Sequence, residues 1–201
     1  MNSELVNALN ISYENKERRY KDLSLLLIKH YNQYVTDNLD QSNESLIFTR
    51  YLIILNKALS NRDNCYHLLQ GFLLFFNTPD KNIYIEMFME KNGPNQLLGF
   101  IEYDKAKFTF DEIHQAIKMI FCIYKESSTY QAQFQELGLH DKLLSLLCLV
   151  EDKNIHHTIC VFFIETRNDY PISKTFRLVQ CPLIMTKKSG SIFISNFIYL
   201  F

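Results

Sequence analysis

The sequence predicts an all-α fold in which one three-helix unit occurs twice along the chain. Five residues of the segment from Tyr84 to Leu98 recur in the segment from Tyr130 to Leu144, at one constant offset of 46 residues. The matched pairs are Tyr84 and Tyr130, Phe88 and Phe134, Glu90 and Glu136, Leu97 and Leu143, and Leu98 and Leu144. A repeat of this length, in which one helix ends and a Leu-Leu helix begins, is typical of helical stacks of the armadillo or HEAT type.

The break between those two helices carries the second observation. Asn92 falls opposite Gly138 at the same offset. Asn and Gly are the residues that best tolerate the left-handed conformation in which many helices end. We therefore expect a left-handed residue at both positions.

The composition indicates a globular, helix-rich chain without a strong charge. Of the 201 residues, 47% are hydrophobic, which is enough to bury a substantial core as one domain or one short solenoid. The 21 basic and 22 acidic side chains leave a formal charge of −1, so no overall electrostatic attraction favours nucleic acid or a membrane. Five glycines and four prolines fit a chain with few tight turns.

Several absences point to a cytoplasmic protein. Residues 1–20 contain no continuous apolar run of the kind that a secretory signal needs, and nowhere do about 18 apolar residues follow one another to span a bilayer. The five cysteines are an odd number, widely spaced and without a C-x-x-C pair, which favours reduced thiols over a disulfide framework.

Apolar residues at helical spacing predict the elements before the repeat. A helix over 16–34 is followed by a polar loop over 36–45, and further helices are predicted over 46–59 and 65–76. Gly71 lies inside the wide apolar face of the last of these. Because glycine costs about 1 kcal/mol relative to alanine within a helix, we expect it to permit close approach of a neighbouring helix.

Each unit of the repeat is predicted to contain three helices. In the first unit they cover 83–91, 95–102 and 113–124, and in the second unit 129–136, 139–150 and 154–165. Thr109 to Glu112 reads T-F-D-E, which resembles a capping box at the start of the third helix. Two units alone are marginal, so the preceding helices are expected to complete the stack.

The predicted domain organisation is a flexible N-terminus over 1–15, an armadillo-like helical domain over 16–166, and an irregular, non-repeat tail over 167–201. Pro171, Pro182 and Gly190 punctuate the tail, and its last segment, SGSIFISNFIYLF, is uncharged, β-branched and aromatic. Since a terminal repeat needs a polar outer face, we interpret 167–201 as an alternative or truncated end.

Residues from about 16 to 165 resemble the armadillo-like helical domain-containing proteins. The resemblance is carried by the run Asn82–Glu90, by Gly93 and Leu97-Leu98, and by Ser127–Tyr130 with the break at Leu137-Gly138 and with Leu143-Leu144. It implies a right-handed superhelix without enzymatic activity and without catalytic residues. It also implies an association with motile cilia.

Other clusters have simpler structural explanations than functional ones. Asp111-Glu112 and Glu151-Asp152 lie at predicted helix starts, where the helix dipole favours acidic groups. The basic cluster Lys16–Arg19 is diluted by acidic neighbours, which favours a solvated helix face over an RNA or lipid contact. The Phe- and Tyr-rich stripes lack interleaved Arg or Lys, which favours core packing over stacking on nucleic acid.

His156, His157 and Cys160 come nearest to a metal-binding or catalytic constellation. Neighbouring residues of a helix point about 100° apart, so the two histidines cannot bind one metal from the same face. No H-E-x-x-H, C-x-x-C or phosphate-binding glycine motif occurs. We expect no catalytic, cofactor or metal site, and an enzyme built on these three residues is the least favoured interpretation.

The favoured function is a non-enzymatic scaffold that binds a protein partner along the concave groove of the stacked third helices. Gln115, Lys118, Lys125 and Glu126, on the exposed side of the helix over 113–125, would line that groove. No nucleic acid, membrane or small-molecule substrate is expected. The alternative is a structural subunit of a ciliary, axonemal or microtubule-associated assembly, whose neighbours would bury the aromatic surface and the apolar tail.

Overall fold

The computed structural model describes residues 20–26, 41–102 and 107–166, and within these ranges the chain forms nine helices and no strand. The helices are α1 (20–26), α2 (Gln41–Asn61), α3 (Tyr66–Phe75), α4 (Lys81–Glu90), α5 (Gly93–Ile101), α6 (Phe110–Tyr124), α7 (Ser128–Glu136), α8 (Leu139–Leu149) and α9 (Lys153–Glu165). The predicted all-α class is therefore confirmed for this part of the chain. The predicted flexible N-terminus (1–15) and irregular tail (167–201) lie outside the described residues.

Most helix boundaries differ from the prediction by a few residues, and two of the earlier starts have a local explanation. α2 begins at Gln41, so the second half of the loop predicted over 36–45 is helical. The residues of that turn are polar and offer no apolar periodicity by which a helix could be recognised. α5 begins at Gly93 instead of 95, because Pro94 can occupy the first turn of a helix, where its missing N–H is not needed.

Left-handed residues separate the first and second helices of both units, as predicted. Asn92, between α4 and α5, has φ 64°, and Gly138, between α7 and α8, has φ 75°. The third helices follow after longer connections, so the order of α4, α5 and α6 is the same as that of α7, α8 and α9.

The central element is α6, which packs against α3, α5, α7 and α9. Because neighbours surround it, its apolar stripe is completely buried, including Ile113, Ile117, Ile120 and Tyr124. The second helices α5 and α8 also contact each other, and α2 contacts both α3 and α4. The core is therefore continuous from the first described helices to the last.

An aromatic cluster joins the early helices to the first unit. The ring of Phe48 on α2 lies 5.6 Å from Phe72 and 5.2 Å from Phe75 on α3, centroid to centroid, in edge-to-face geometry. Tyr84 on α4 packs against Phe48 at 5.1 Å and Phe75 at 5.2 Å. Aromatic pairs in this geometry contribute about 0.5–1.5 kcal/mol each beyond the area that they bury.

Gly71 permits the predicted close approach of two helices. A Cβ atom at this position of α3 would lie 2.6 Å from Cζ of Tyr51 on α2, and closer still to its hydroxyl oxygen. The Tyr51 hydroxyl is 3.5 Å from the carbonyl oxygen of His67, to which it donates. The absence of a side chain at 71 is thus what lets the Tyr51 ring approach α3 so closely.

The matched positions of the two units agree at the phenylalanines and differ at the tyrosines and at the second leucine, since Leu98 is buried and Leu144 is half-buried. Phe88 and Phe134 are both fully buried. Tyr84 is buried among aromatic rings, whereas its counterpart Tyr130 is half-buried. Burial and the nearby carboxylates of α4, Glu86 and Glu90, raise the pKa of Tyr130. Each tyrosine faces the preceding helices, but only the first meets an aromatic surface there.

Candidate functional site

The sequence places the candidate site on the third helices of the two units, α6 and α9, and α3 also lies beside α6. α6 contacts α3 on one side and α9 on another. Two polar contacts fix the position of α9 along the axis of α6, because each joins a residue of α6, or the residue that follows it, to a residue of α9. His114 Nε2 lies 2.9 Å from Oγ1 of Thr158 on α9, and Lys125 forms an ion pair with Glu165 near the end of α9.

Glu112 joins the starts of α3 and α6. Its Oε2 accepts hydrogen bonds from the backbone N–H of Thr109 at 2.8 Å and from the Thr109 hydroxyl at 2.8 Å. The Thr109 hydroxyl in turn accepts from the Glu112 N–H, so the predicted capping box is confirmed. Oε1 accepts from the backbone N–H of Cys65, immediately before α3, at 2.7 Å. One buried carboxylate therefore satisfies donors at two helix starts.

The hydrogen bond from the Cys65 N–H to Glu112 has no signal in the sequence. T-F-D-E identifies the capping box because all its partners lie within four residues. Cys65 is 47 residues away from Glu112, and nothing in a local pattern indicates such a partner. The pKa of the Cys65 thiol is raised to about 12 by burial and by the negative charges of Glu112 and Asp63. This cysteine is therefore a neutral part of the core.

One ridge of α6 remains accessible between its neighbours. It carries side chains at helical spacing that are half-buried or exposed: His114, Lys118, Phe121, Cys122 and Lys125. Burial and the charge of Lys118 lower the pKa of His114, while Asp152 and Asp111 oppose that shift. The ridge therefore presents a neutral imidazole, an apolar patch and two ammonium groups.

Only two of the four predicted groove residues, Lys118 and Lys125, lie on this ridge. Gln115 is buried, with 8% of its surface exposed, so its predicted exposure is wrong. The reason is the packing of α6 on several sides, which leaves a narrower accessible face than a two-sided amphipathic pattern suggests. Glu126, just beyond α6, accepts from Lys81 Nζ at 2.7 Å and so ties the end of α6 to the start of α4.

The two lysines lie on the ridge and differ in their surroundings. Lys125 pairs with Glu165, and its Nζ sits 4.0 Å from the centre of the Phe121 ring. Lys118 is half-buried and has no ion-pair partner in the described part of the chain. Among the four predicted residues, Lys118 is thus the cation whose charge the described residues leave uncompensated.

His156, His157 and Cys160 are not arranged as a metal site. Among the residues that the structure describes, no group of three or more His, Cys, Asp or Glu side chains could hold a metal ion. His156 Nε2 lies 2.5 Å from the carbonyl oxygen of Val150, which can only accept, so that nitrogen carries the proton. Burial raises the pKa of Cys160 to about 11, which keeps the thiol protonated at neutral pH.

A separate apolar cavity lies between α5 and α8. Its volume is about 230 Å³, and it is lined by Ile101, Glu102, Asp141, Lys142, Ser145, Leu146 and Leu149. Lys142 and Glu102 form an ion pair across it. The cavity is on the second helices, and none of the ridge residues of α6 contributes to it.

Over residues 20–26, 41–102 and 107–166, no helix is both long and apolar enough to cross a membrane. No protein-family model matches the chain, and no curated protein or solved structure matches it either.

Proposed function

We propose that the chain is a non-enzymatic, armadillo-like scaffold that binds a protein partner along the surface of α3, α6 and α9. The observation that carries the proposal is the position of α6, which carries an accessible ridge and has α3 and α9 among its neighbours. Successive helices in such an arrangement offer a long surface to an extended partner. The right-handed superhelix and the ciliary association, which the family resemblance implies, and the cytoplasmic setting, which the sequence pattern favours, belong to this proposal as predictions.

The chemistry of the ridge favours a partner that combines an acidic group with an apolar one. Lys118 supplies a positive charge without a partner among the described residues, and the half-buried ring of Phe121 lies one turn further along the helix. A carboxylate brought to Lys118 would gain a charge-assisted hydrogen bond. Because the site is half-buried, that bond is screened less by salt than one on an open surface.

Lys118→Glu tests the proposal with few side effects, since no described ion pair is lost. Lys57→Glu on α2 is the matched control, because Lys57 is exposed and lies on a helix outside the proposed surface. Partners captured by wild type, Lys118→Glu and Lys57→Glu would be compared quantitatively. We expect at least one partner to be retained by wild type and by Lys57→Glu and lost by Lys118→Glu.

Charge reversal at Lys125 is a poorer test. Lys125→Glu would place a carboxylate against Glu165 and would weaken the contact between α6 and α9 itself. A result in which Lys118→Glu keeps every partner of the wild type would remove the third-helix surface from consideration.

A further inference from the structure

His114 is a titratable side chain on the same ridge of α6 as Lys118. The two residues are four positions apart, so their Cβ atoms lie about 5–6 Å from each other on one face of the helix. Both side chains are half-buried. Histidine is the side chain whose ordinary pKa lies between about pH 5 and pH 8. The charge that the ridge presents beside Lys118 therefore depends on the pH.

The contact between His114 and α9 is compatible with both forms of the imidazole. Nε2 of His114 lies 2.9 Å from Oγ1 of Thr158. A threonine hydroxyl can donate to an unprotonated ring nitrogen, and it can accept from a protonated one. Protonation of His114 therefore changes the charge of the ridge without breaking the contact between α6 and α9.

The charged and titratable groups that act on His114 come from α6 and from the start of α9. They are Lys118 and Asp111 on α6, and Asp152 and His157 at the start of α9. None of the described residues of α3, α5 and α7, which also pack against α6, contributes. Burial and the charge of Lys118 lower the pKa of His114, and the two aspartates oppose that shift only in part. The imidazole is therefore neutral above about pH 7 and gains its charge on acidification.

We propose that His114 makes the binding of an acidic partner by the ridge dependent on pH, with tighter binding under mildly acidic conditions. This inference rests on the proposed function of the ridge and adds the regulation of that site. A protonated His114 places a second positive charge one helical turn from Lys118, where it attracts a carboxylate that Lys118 holds. By linkage, the bound carboxylate favours the protonated imidazole to the same extent. The affinity therefore rises as the pH falls through the range in which His114 gains its proton.

Coulomb's law sets the size of the effect. Opposite unit charges about 6 Å apart, at an effective dielectric constant of about 40–80, attract each other by an amount equivalent to roughly a threefold to tenfold change in affinity. Asp111 and Asp152 are charged in both protonation states of His114, since the ordinary pKa of aspartate is about 3.9. They therefore do not change the direction of the effect.

A small probe of defined charge tests the inference on the full chain. The probe is a glutamyl-phenylalanine dipeptide with both ends blocked, so that the side-chain carboxylate is its only charge. Its dissociation constant is measured by NMR titration at about pH 7.5 and about pH 5.5, on either side of the ordinary histidine pKa. The blocked glutaminyl-phenylalanine dipeptide is the uncharged control. Far-UV circular dichroism verifies that the protein is folded at both pH values.

Two histidine variants identify the group that responds to pH. His114→Gln removes the titration and keeps a side chain that can donate to Thr158 or accept from it. His157→Gln is the matched control, because it removes the second histidine of the cluster and leaves His114 in place. We expect wild type and His157→Gln to bind the acidic dipeptide roughly threefold to tenfold more tightly at the lower pH. His114→Gln should bind it equally at both pH values, and the uncharged dipeptide should show no pH dependence.

Lys118→Glu distinguishes failure of the inference from failure of the proposed function. If Lys118→Glu weakens binding of the acidic dipeptide, but wild type binds it equally at both pH values, the inference is overturned and the proposed surface stands. The same holds if His114→Gln keeps the pH dependence of wild type. If Lys118→Glu leaves the binding unchanged, or if wild type does not bind the dipeptide at either pH, the proposed surface and the inference are overturned together.

Discussion

The side chain of Glu112 fixes the position of the start of α3 relative to the start of α6. The carboxylate is buried and accepts hydrogen bonds from Thr109 and Cys65, at the starts of α6 and α3. Hydrogen bonds to a charged group contribute about 1.5–3 kcal/mol, and a buried donor left without a partner costs a similar amount. The contact between the two helices therefore depends strongly on the charge and on the shape of this residue.

Glu112→Gln should destabilise the fold by about 2–3 kcal/mol. The amide nitrogen that replaces one carboxylate oxygen is a donor, and it would face a backbone N–H that needs an acceptor. Urea unfolding followed by circular dichroism measures the change as a lower midpoint at unchanged slope. Asp111→Asn is the control, since Asp111 is exposed in the same first turn. If Glu112→Gln lowers the free energy of unfolding no more than Asp111→Asn does, the role assigned to Glu112 is contradicted.

His140 gives the fold a pH dependence of known sign. It is buried against the rings of Tyr124, Phe162 and Phe163. Burial lowers its pKa, and the neighbouring Asp141 only partly opposes the shift. Because the folded-state pKa lies below the unfolded value of about 6.5, the stability is complete above that pH and falls as the pH decreases through the folded pKa.

We expect the free energy of unfolding to decrease between pH 7 and about pH 5.5, below the unfolded histidine pKa. His140→Phe keeps an aromatic ring in place and removes the ionisable group, so it should flatten this decrease. The part that remains would come from His114, whose pKa is lowered in the same direction. The free energy of unfolding would be measured by urea unfolding at each pH. If it decreases with falling pH as steeply in His140→Phe as in wild type, the histidine is not buried as described.

At the scale of elements, the approach of α2 and α3 is set by Gly71, and a second glycine offers a direct comparison. A Cβ at Gly71 would clash with Tyr51, while a Cβ at Gly99 of α5 would meet nothing within 4 Å. Both glycines lie inside helices. Replacing glycine by alanine therefore raises the helix propensity at both positions, and the packing around the two positions differs.

Gly99→Ala should stabilise the protein by about 0.5–1 kcal/mol through helix propensity. Gly71→Ala should destabilise it, because overpacking of a core costs about 1–3 kcal/mol and outweighs that gain. Thermal unfolding of the two variants beside wild type measures the opposite signs. A Gly71→Ala variant as stable as Gly99→Ala would show that α2 and α3 do not approach as closely as described.

The helices of residues 81–165 could be predicted closely because their signals are local. Apolar spacing, the T-F-D-E cap and the left-handed Asn92 and Gly138 all lie within or next to the helix that they define. The start of α2 at Gln41 could not be predicted, since its first turn is polar and lacks periodicity. The burial of Gln115 was missed for a different reason. A stripe pattern assigns one inner face, whereas α6 is packed on several sides.

At the scale of the whole molecule, the sequence predicts the candidate surface but not its polar framework. The ridge at Lys118 and Lys125 follows from helix spacing alone. Two contacts position α6 relative to α3 and α9, one between Glu112 and Cys65 and one between His114 and Thr158. They join residues that are 47 and 44 positions apart in the sequence. Such pairs depend on how helices are placed in space, which no single segment of sequence specifies.

The position of α6 between α3 and α9 predicts the distances among these three helices. Packed helices lie about 8–10 Å apart, so in an open stack α3 and α9 are separated by roughly 16–20 Å, with α6 between them. In a closed bundle, α9 would instead return to α3 and lie about 8–10 Å from it.

Electron paramagnetic resonance on spin-labelled unnatural amino acids at positions 70, 118 and 157 measures these separations, with one label on each third helix. The open stack predicts that the distance between 70 and 157 is roughly twice the distances from 70 to 118 and from 118 to 157, once label length is allowed for. Three similar distances would show a closed bundle and would contradict the scaffold surface proposed for α3, α6 and α9.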